Sequence, residues 1–226
     1  MDYSIIIDNL GLFLQGLNLT IQFTFLSVLI GFALAIGLAV MRDSKYKIVS
    51  YPIQFYIYFL RGTPLLVQIY LIYHGLAQFS LVRDTFLWVL FKEAYFCGLL
   101  AWTLNTSAYG AEILRGAFKN TPKGEVEAAI AFGMSKFQVF WRITFPSSIR
   151  RAFPAYSNEI ILMLHATSLA STITLIDLTG AARLVYEQHY APFVAFTFVG
   201  LVYLMITMIL TWVFKWFERN WMQHLA

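Results

Sequence analysis

Arg61, Glu112, Glu159 and His165 sit inside stretches that are otherwise apolar enough to cross a lipid bilayer. Ionisable groups at membrane depth are expensive and face protein or a cavity, so each is a functional candidate by default. A carboxylate in a low-dielectric cavity recognises a cation through charge-assisted hydrogen bonds, the chemistry that selects a positively charged solute. Glu159, with Asn158 beside it and Tyr156 three residues before, lies deepest in its stretch and is the leading candidate. Glu112 precedes Arg115 by three residues, a spacing that equally allows an ion pair on one helix face. Glu159 has its own structural alternative, a salt bridge to Arg61 or to a neighbouring subunit. His165 reads either as a satisfied interior histidine or as a solute or gating contact. Beside Arg61, Gly62-Thr63-Pro64 predicts a kinked helix, because proline removes a helical hydrogen bond. Gly62 and Pro64 are therefore candidate hinge positions.

No catalytic constellation accompanies these charges. The sequence has no G-x-x-x-x-G-K-S/T phosphate loop, so ATP hydrolysis by this chain is not expected. His74, His165, His189 and His224 show no metal-ligand spacing, and the single Cys97 excludes an intrachain disulfide. No metal or bound cofactor is expected. Met1-Asp2-Tyr3 lacks the basic start of a secretory signal, so the first apolar segment is expected to stay in place.

The elements that must position these residues are membrane spans. Of 226 residues, 59% are hydrophobic and 12% are charged, about half the ~25% charge of a soluble domain. An all-α membrane protein fits this composition. Its net charge of +4 then reflects basic cytoplasmic loops rather than nucleic-acid binding. With about 20 residues needed per crossing, the apolar runs predict five transmembrane helices near 17–40, 51–79, 94–114, 152–173 and 190–214, in one domain over 1–226. Twelve of the 16 basic residues fall on one side of that arrangement and three on the other. Basic loops mark the cytoplasm, so the N-terminus is expected in the periplasm and the C-terminus in the cytoplasm. Five spans are few for a whole translocation path, which calls for a second copy or a sister subunit.

Between the third and fourth spans, about 119–150, the pattern changes to a soluble helix-turn-helix. Thr121-Pro122 predicts a helix start, with threonine as the cap and proline at the first helical position. Glu125 and Glu127 follow where the helix dipole favours acids. Ala128, Ala129 and Phe132 make a small-faced apolar stripe, and Gly133 is placed to end the helix in a left-handed conformation. Ser135 and Gln138 spell a capping box for a second helix. Phe137, Phe140 and Trp141 form its apolar face, and Pro146 is expected to close it. These features fit either a rigid docking knob or an ordered loop packed on its own bundle.

Glu127-Ala128-Ala129, Gly133 and Ile143-x-x-Pro146 resemble the EAA loop of permease subunits of bacterial ABC importers, EAA-x3-G-x9-I-x-x-P. Arg61-Gly62-Thr63-Pro64-Leu65-Leu66-Val67-Gln68 and Ala108-Tyr109-Gly110-Ala111-Glu112-Ile113-Leu114-Arg115-Gly116 look like signatures of the polar amino acid branch. Pro154 to His165 is similar to the M-type permeases of histidine/lysine/arginine/ornithine importers and to opine and octopine permeases. The resemblance runs from about Gly16 to Leu225. One departure is His165-Ala166-Thr167-Ser168-Leu169, where most of the branch carries a lysine and an acid before Thr-Ser-Leu.

The resemblance implies a type I importer permease fold in a bacterial inner membrane. It implies that Glu125, Glu127, Ala128, Ala129, Gly133, Phe137 and Pro146 couple the chain to a cytosolic ABC ATPase dimer, which binds the ATP and magnesium. ATPase closure would draw the loops together and tilt the spans from inward-open to outward-open. The other implied partners are a Q-type sister permease or a second copy, and a periplasmic amino acid-binding protein. The outer stretch 174–189, with Asp177, Arg183 and Glu187, would face that binding protein or be a solvated loop. The cargo implied is a polar, basic amino acid. The rival reading is a secondary transporter or channel subunit that moves a polar solute without ATP, for which a docking knob has no use.

Overall fold

The computed structural model describes residues 4–221. Met1-Asp2-Tyr3 and His224 lie outside the described residues. Within them the chain is all helical, with no strand. A short α1 (Ser4–Asp8) leads into α2 (Leu10–Arg42), then α3 (Lys47–Gly62) and α4 (Leu65–Tyr70). A π turn and a 3-10 turn carry α4 on to Gln78, and two single turns, α5 (Ser80–Arg83) and α6 (Trp88–Phe91), precede α7 (Ala94–Lys119). The knob holds α8 (Lys123–Ala131) and α9 (Lys136–Val139), and α9 runs through a π turn into α10 (Phe145–Ala166). A 3-10 stretch to Ile173, α11 (Leu178–His189) and α12 (Pro192–Trp221) complete the chain.

Two of these helices, α2 and α12, are long and apolar enough to cross a membrane, or four if each bent pair counts as one span. The helix α7 is the centre of the bundle and fails that test for a physical reason. Half of its residues are buried, among them Thr103, Asn105, Thr106 and Ser107. A helix wrapped by other helices needs small, interlocking side chains rather than lipid-loving ones. Gly31 of α2 lies against Thr106, and Gly110 of α7 lies against Ala35 and Tyr156, where an added Cβ would stand about 3 Å from each neighbour. In α12, by contrast, only Val194, Ala195 and Val199 are buried. Leu201, Leu204, Met205, Met208, Ile209 and Trp212 remain exposed there, as suits a helix with one face on lipid.

Three apolar clusters stack along α7 and α2. At the knob end Ala35, Ala39, Ile57, Ala111, Leu114, Ala117 and Ala152 draw α2, α3, α7 and α10 together. In the middle Trp102, fully buried, packs on Phe23 and donates its indole N–H to the Ala166 carbonyl, 3.2 Å away. At the far end Phe13, Leu178, Ala181, Ala182 and Val185 join α2, α11 and α12. There Asp177 is no solvated loop residue. It is fully buried, caps α11 by accepting from the backbone N–H of Thr179 and Gly180 at 3.0 Å each, and also accepts from the Tyr203 hydroxyl at 3.4 Å. Arg183 and Glu187 do stay exposed, paired with each other at 3.0 Å.

The expected second span departs most from its reading. Thr63 and Pro64 are both extended, and the segments before and after them meet at 109°. Two extended residues in series reset the chain direction, where one proline alone would bend a continuous helix.

Candidate functional site

The knob is built locally. Gly133 has φ +81°, the left-handed conformation that ends α8. Ser135 and Gln138 form both halves of a capping box, the Gln138 side chain accepting from the Ser135 N–H at 2.8 Å. Two expected boundaries are corrected. Pro122, not Thr121, occupies the cap position of α8. The buried Thr121 hydroxyl instead shares a 2.9 Å hydrogen bond with Ser148, which also donates to the Ala117 carbonyl. Tertiary pairing has taken the cap. Nor does Pro146 end the second helix, because the π turn over Phe140–Thr144 lets the chain continue into α10. Widening the turn before a proline accommodates its ring and its missing donor.

Glu125 points back to the bundle, 3.6 Å from Arg151, and accepts from the Ser147 hydroxyl at 3.2 Å. It braces the knob on α10. Ala129 is buried beneath α8, while Glu127, Ala128, Phe137 and Pro146 are exposed. Ile130, Phe132, Phe137 and Trp141 leave an aromatic and aliphatic surface uncovered on this element, with Phe132 86% exposed. Such a patch on a capped, braced element has the form of a docking surface.

The second region is a cleft of about 430 Å³ where the α3/α4 break, α7 and α10 meet. Arg61, Gly62, Thr63, Pro64, Asn105, Tyr109 and Glu159 line it, with Leu162 and Met163 as apolar wall. The break exposes backbone carbonyls that a continuous helix would have satisfied, and these need partners at membrane depth. Gln68 supplies them, its side-chain amide donating to the Leu60 carbonyl at 2.7 Å and to the Thr63 carbonyl and hydroxyl at 3.0 and 2.8 Å. Asn105 in turn donates to the Gln68 oxygen at 3.1 Å. Tyr56 donates to the Leu104 carbonyl at 3.1 Å, fixing α3 to α7 beside this network.

With the carbonyls satisfied by amides, Arg61 is left for carboxylates. Its guanidinium lies 3.8 Å from Glu112 and over the Tyr109 ring at 5.2 Å. Glu112 already pairs with Arg42 and with Arg115, the latter at 2.5 Å, and Asp43 joins Arg115 and Lys119 at 3.7 and 3.2 Å. Glu112 thus belongs to a structural charge cluster at the knob end of α2 and α7, outside the cleft lining. Glu159 is different. It is 7% exposed, faces the cleft, and has no ion pair among the described residues.

The other candidates fall elsewhere. Tyr156 is buried off the cleft, packed on Phe32, with its hydroxyl donating to the Val28 carbonyl at 3.3 Å. Asn158 is exposed and lies off the cleft. His165 faces α12, sharing a 2.9 Å hydrogen bond with Thr207. Asn158 and His165 are one and six residues from Glu159, about 100° and 120° away around the helix, and Tyr156, three residues before, sits at the edge of the same face. Asn105 and Tyr109 line the cleft, and Gln68 supports its wall, without a charge to draw attention to them. The available signal was spacing: Asn105, Tyr109 and Glu112 recur at steps of four and three on one face of α7.

Residues 27–223 match the family described as binding-protein-dependent transport system inner membrane component. The octopine transport system permease protein OccM of Rhizobium radiobacter is 46% identical over 205 residues, 91% of this chain and 84% of that protein. The histidine/lysine/arginine/ornithine transport system permease protein HisM of Escherichia coli K12 is 44% identical over 210 residues, 92% and 88% of the two chains. Among solved structures, an amino acid ABC transporter crystallised with histidines superposes with a TM-score of 0.87 at 32% identity, covering 97% of this chain and 99% of that one. A subunit of the MetNI methionine ABC transporter superposes with a TM-score of 0.78 at 14% identity, a likeness of fold alone, over 93% and 96% of the two chains.

Proposed function

This chain belongs to the binding-protein-dependent transport inner membrane component family, as a permease of the amino acid ABC transporters, and on that premise we propose that it forms half of a translocation path for basic amino acids or their opine derivatives. The observation that carries the cargo reading is Glu159, a buried carboxylate without a salt-bridge partner among the described residues, which faces a cleft large enough for an amino acid side chain. A cationic side chain entering the cleft supplies the missing counter-charge, and a neutral one leaves the buried carboxylate unpaired. Discrimination follows from that difference, because leaving a buried charge unpaired is costly. The names of HisM and OccM are consistent with cargo that carries an amine, imidazole or guanidine group.

In this reading α2, the α3/α4 pair, α7, α10 and α12 make five crossings of a bacterial inner membrane, with the N-terminus in the periplasm. The knob docks in the cytoplasm on an ABC ATPase, which holds the ATP and magnesium while this chain holds no cofactor. A sister permease or a second copy closes the open side of the cleft, and a periplasmic binding protein delivers cargo to the far end near Arg183 and Glu187. The exposed Phe132 and Phe137 support ATPase coupling over a self-powered carrier.

The test is ATPase stimulation in proteoliposomes holding the assembled transporter, with binding protein loaded in turn with arginine, lysine, histidine, octopine and glutamine. Stimulation by the cationic and opine cargoes above glutamine is expected. Equal stimulation by glutamine would remove charge recognition from the proposal, and transport that proceeds without any ATPase would remove the rest.

A further inference from the structure

Arg61 lines the same cleft as Glu159, yet its guanidinium rests 3.8 Å from Glu112. That resting place is loosely held from both sides. Glu112 keeps Arg42 and Arg115 as partners whether or not Arg61 stays, and Arg61 is 40% exposed at its side chain. It also lies in the last turn of α3, with the extended Thr63-Pro64 pair directly after Gly62 and no neighbour within 4 Å of a Cβ built on Gly62. A long, partly exposed arginine beside such a break has several rotatable bonds with which to redirect its head group within the cleft it lines. Two carboxylates are therefore open to one cation, and among the described residues only Glu112 has other ion-pair partners.

We propose that Arg61 is a built-in competitor for the cargo site: parked on Glu112 it leaves Glu159 open to a cationic cargo, and crossing to Glu159 it displaces that cargo. This rests on the cargo reading above and adds to it a release step. The crossing breaks a weak ion pair whose acceptor remains compensated and forms one at a carboxylate that departing cargo leaves unpaired, so the two positions of Arg61 lie close in free energy and the cargo and the arginine exchange at Glu159. Without such a competitor, a buried carboxylate that binds a cation well would also hold it on the cytoplasmic side.

The proposal fixes the sign of several effects. Equilibrium binding of L-arginine is measured on the purified, assembled transporter in nanodiscs without binding protein. Arg61→Gln removes the competitor and should tighten binding about tenfold, with slower release, while Arg61→Lys stays near wild type. Glu112→Gln removes the parking site and should weaken binding, and adding Arg61→Gln to it should restore tight binding. If Arg61→Gln weakens binding, Arg61 holds the cargo itself and the proposal is overturned, and unchanged binding overturns it equally. Because Glu112 also supports the fold, a cargo-free double-mutant cycle of Arg61→Gln and Glu159→Gln on thermal midpoints provides the second readout. A non-additive cycle is expected, and strict additivity rejects the Arg61–Glu159 exchange. If Glu159→Gln leaves L-arginine binding intact, the cargo reading falls, and the cycle still reports on the two side chains independently.

Discussion

The knob and the cleft are the two candidate functional regions of a mostly apolar molecule, and they are assembled in opposite ways. Every residue that shapes the knob lies within about 30 positions of the others, and its turn, cap and brace are set by Gly133, Ser135 with Gln138, and Glu125 with Arg151. The cleft takes one wall from α3 and α4, one from α7 and one from α10, so Arg61, Asn105 and Glu159 meet across gaps of 44 and 54 residues. A locally built element is vulnerable to single backbone changes. A cleft built from distant helices is vulnerable to changes in the polar groups that hold its walls together. The difference predicts which substitutions disable transport outright and which alter selectivity or stability.

The sharpest break is Gly133→Val. A β-branched residue is strained at φ +81° although space around Gly133 is open, so the chain should accumulate while uptake of labelled arginine falls at least about tenfold. Normal uptake at normal abundance would mean that the knob is not the coupling element. Next comes Glu159→Gln, which should cost cationic cargo about 1.5–3 kcal/mol relative to a neutral amino acid, the range for hydrogen bonds to charged groups. Competition uptake of arginine against glutamine reads it, and an equal loss for both cargoes would argue that Glu159 is structural.

Gln68→Leu tests how the cleft is held. It leaves the Thr63 carbonyl without its donor and the Leu60 carbonyl with only the long 3.5 Å bond from Asn105, and the expected loss is about 1–3 kcal/mol of stability, seen as a lower thermal midpoint of the purified complex. No shift would mean that water already serves those carbonyls. The smallest effect belongs to Ser135→Ala, which removes one cap at a cost of about 1 kcal/mol. Faster amide exchange confined to α9 is expected, with transport reduced only slightly. Loss of transport as severe as that of Gly133→Val would show that the knob tolerates no local loosening at all.

Legibility followed the same divide. The capping box, the left-handed glycine and the acidic first turn of α8 were readable because each depends on neighbours a few residues away. Thr121 and Pro146 were misread where a distant partner or a non-standard turn intervened: Ser148 claimed the threonine hydroxyl, and a π turn carried the helix past the proline. The charges within spans were conspicuous, but their sequence positions said nothing of which side of a helix they face. Tyr156, Asn158 and Glu159 are consecutive or nearly so, and they point into the bundle, out of it and into the cleft.

The sequence by itself determined the membrane class, the helical content and the turn and second cap of the knob, because composition and short-range backbone preferences act before any tertiary contact forms. It also marked Arg61, Glu112 and Glu159 as costly. Only the tertiary structure decided their roles, by surrounding Glu112 with three arginines, giving the carbonyls at the break to Gln68, and leaving Glu159 buried without a counter-ion among the described residues. A charge's role depends on the neighbours that desolvate or pair it, and those neighbours come from other helices.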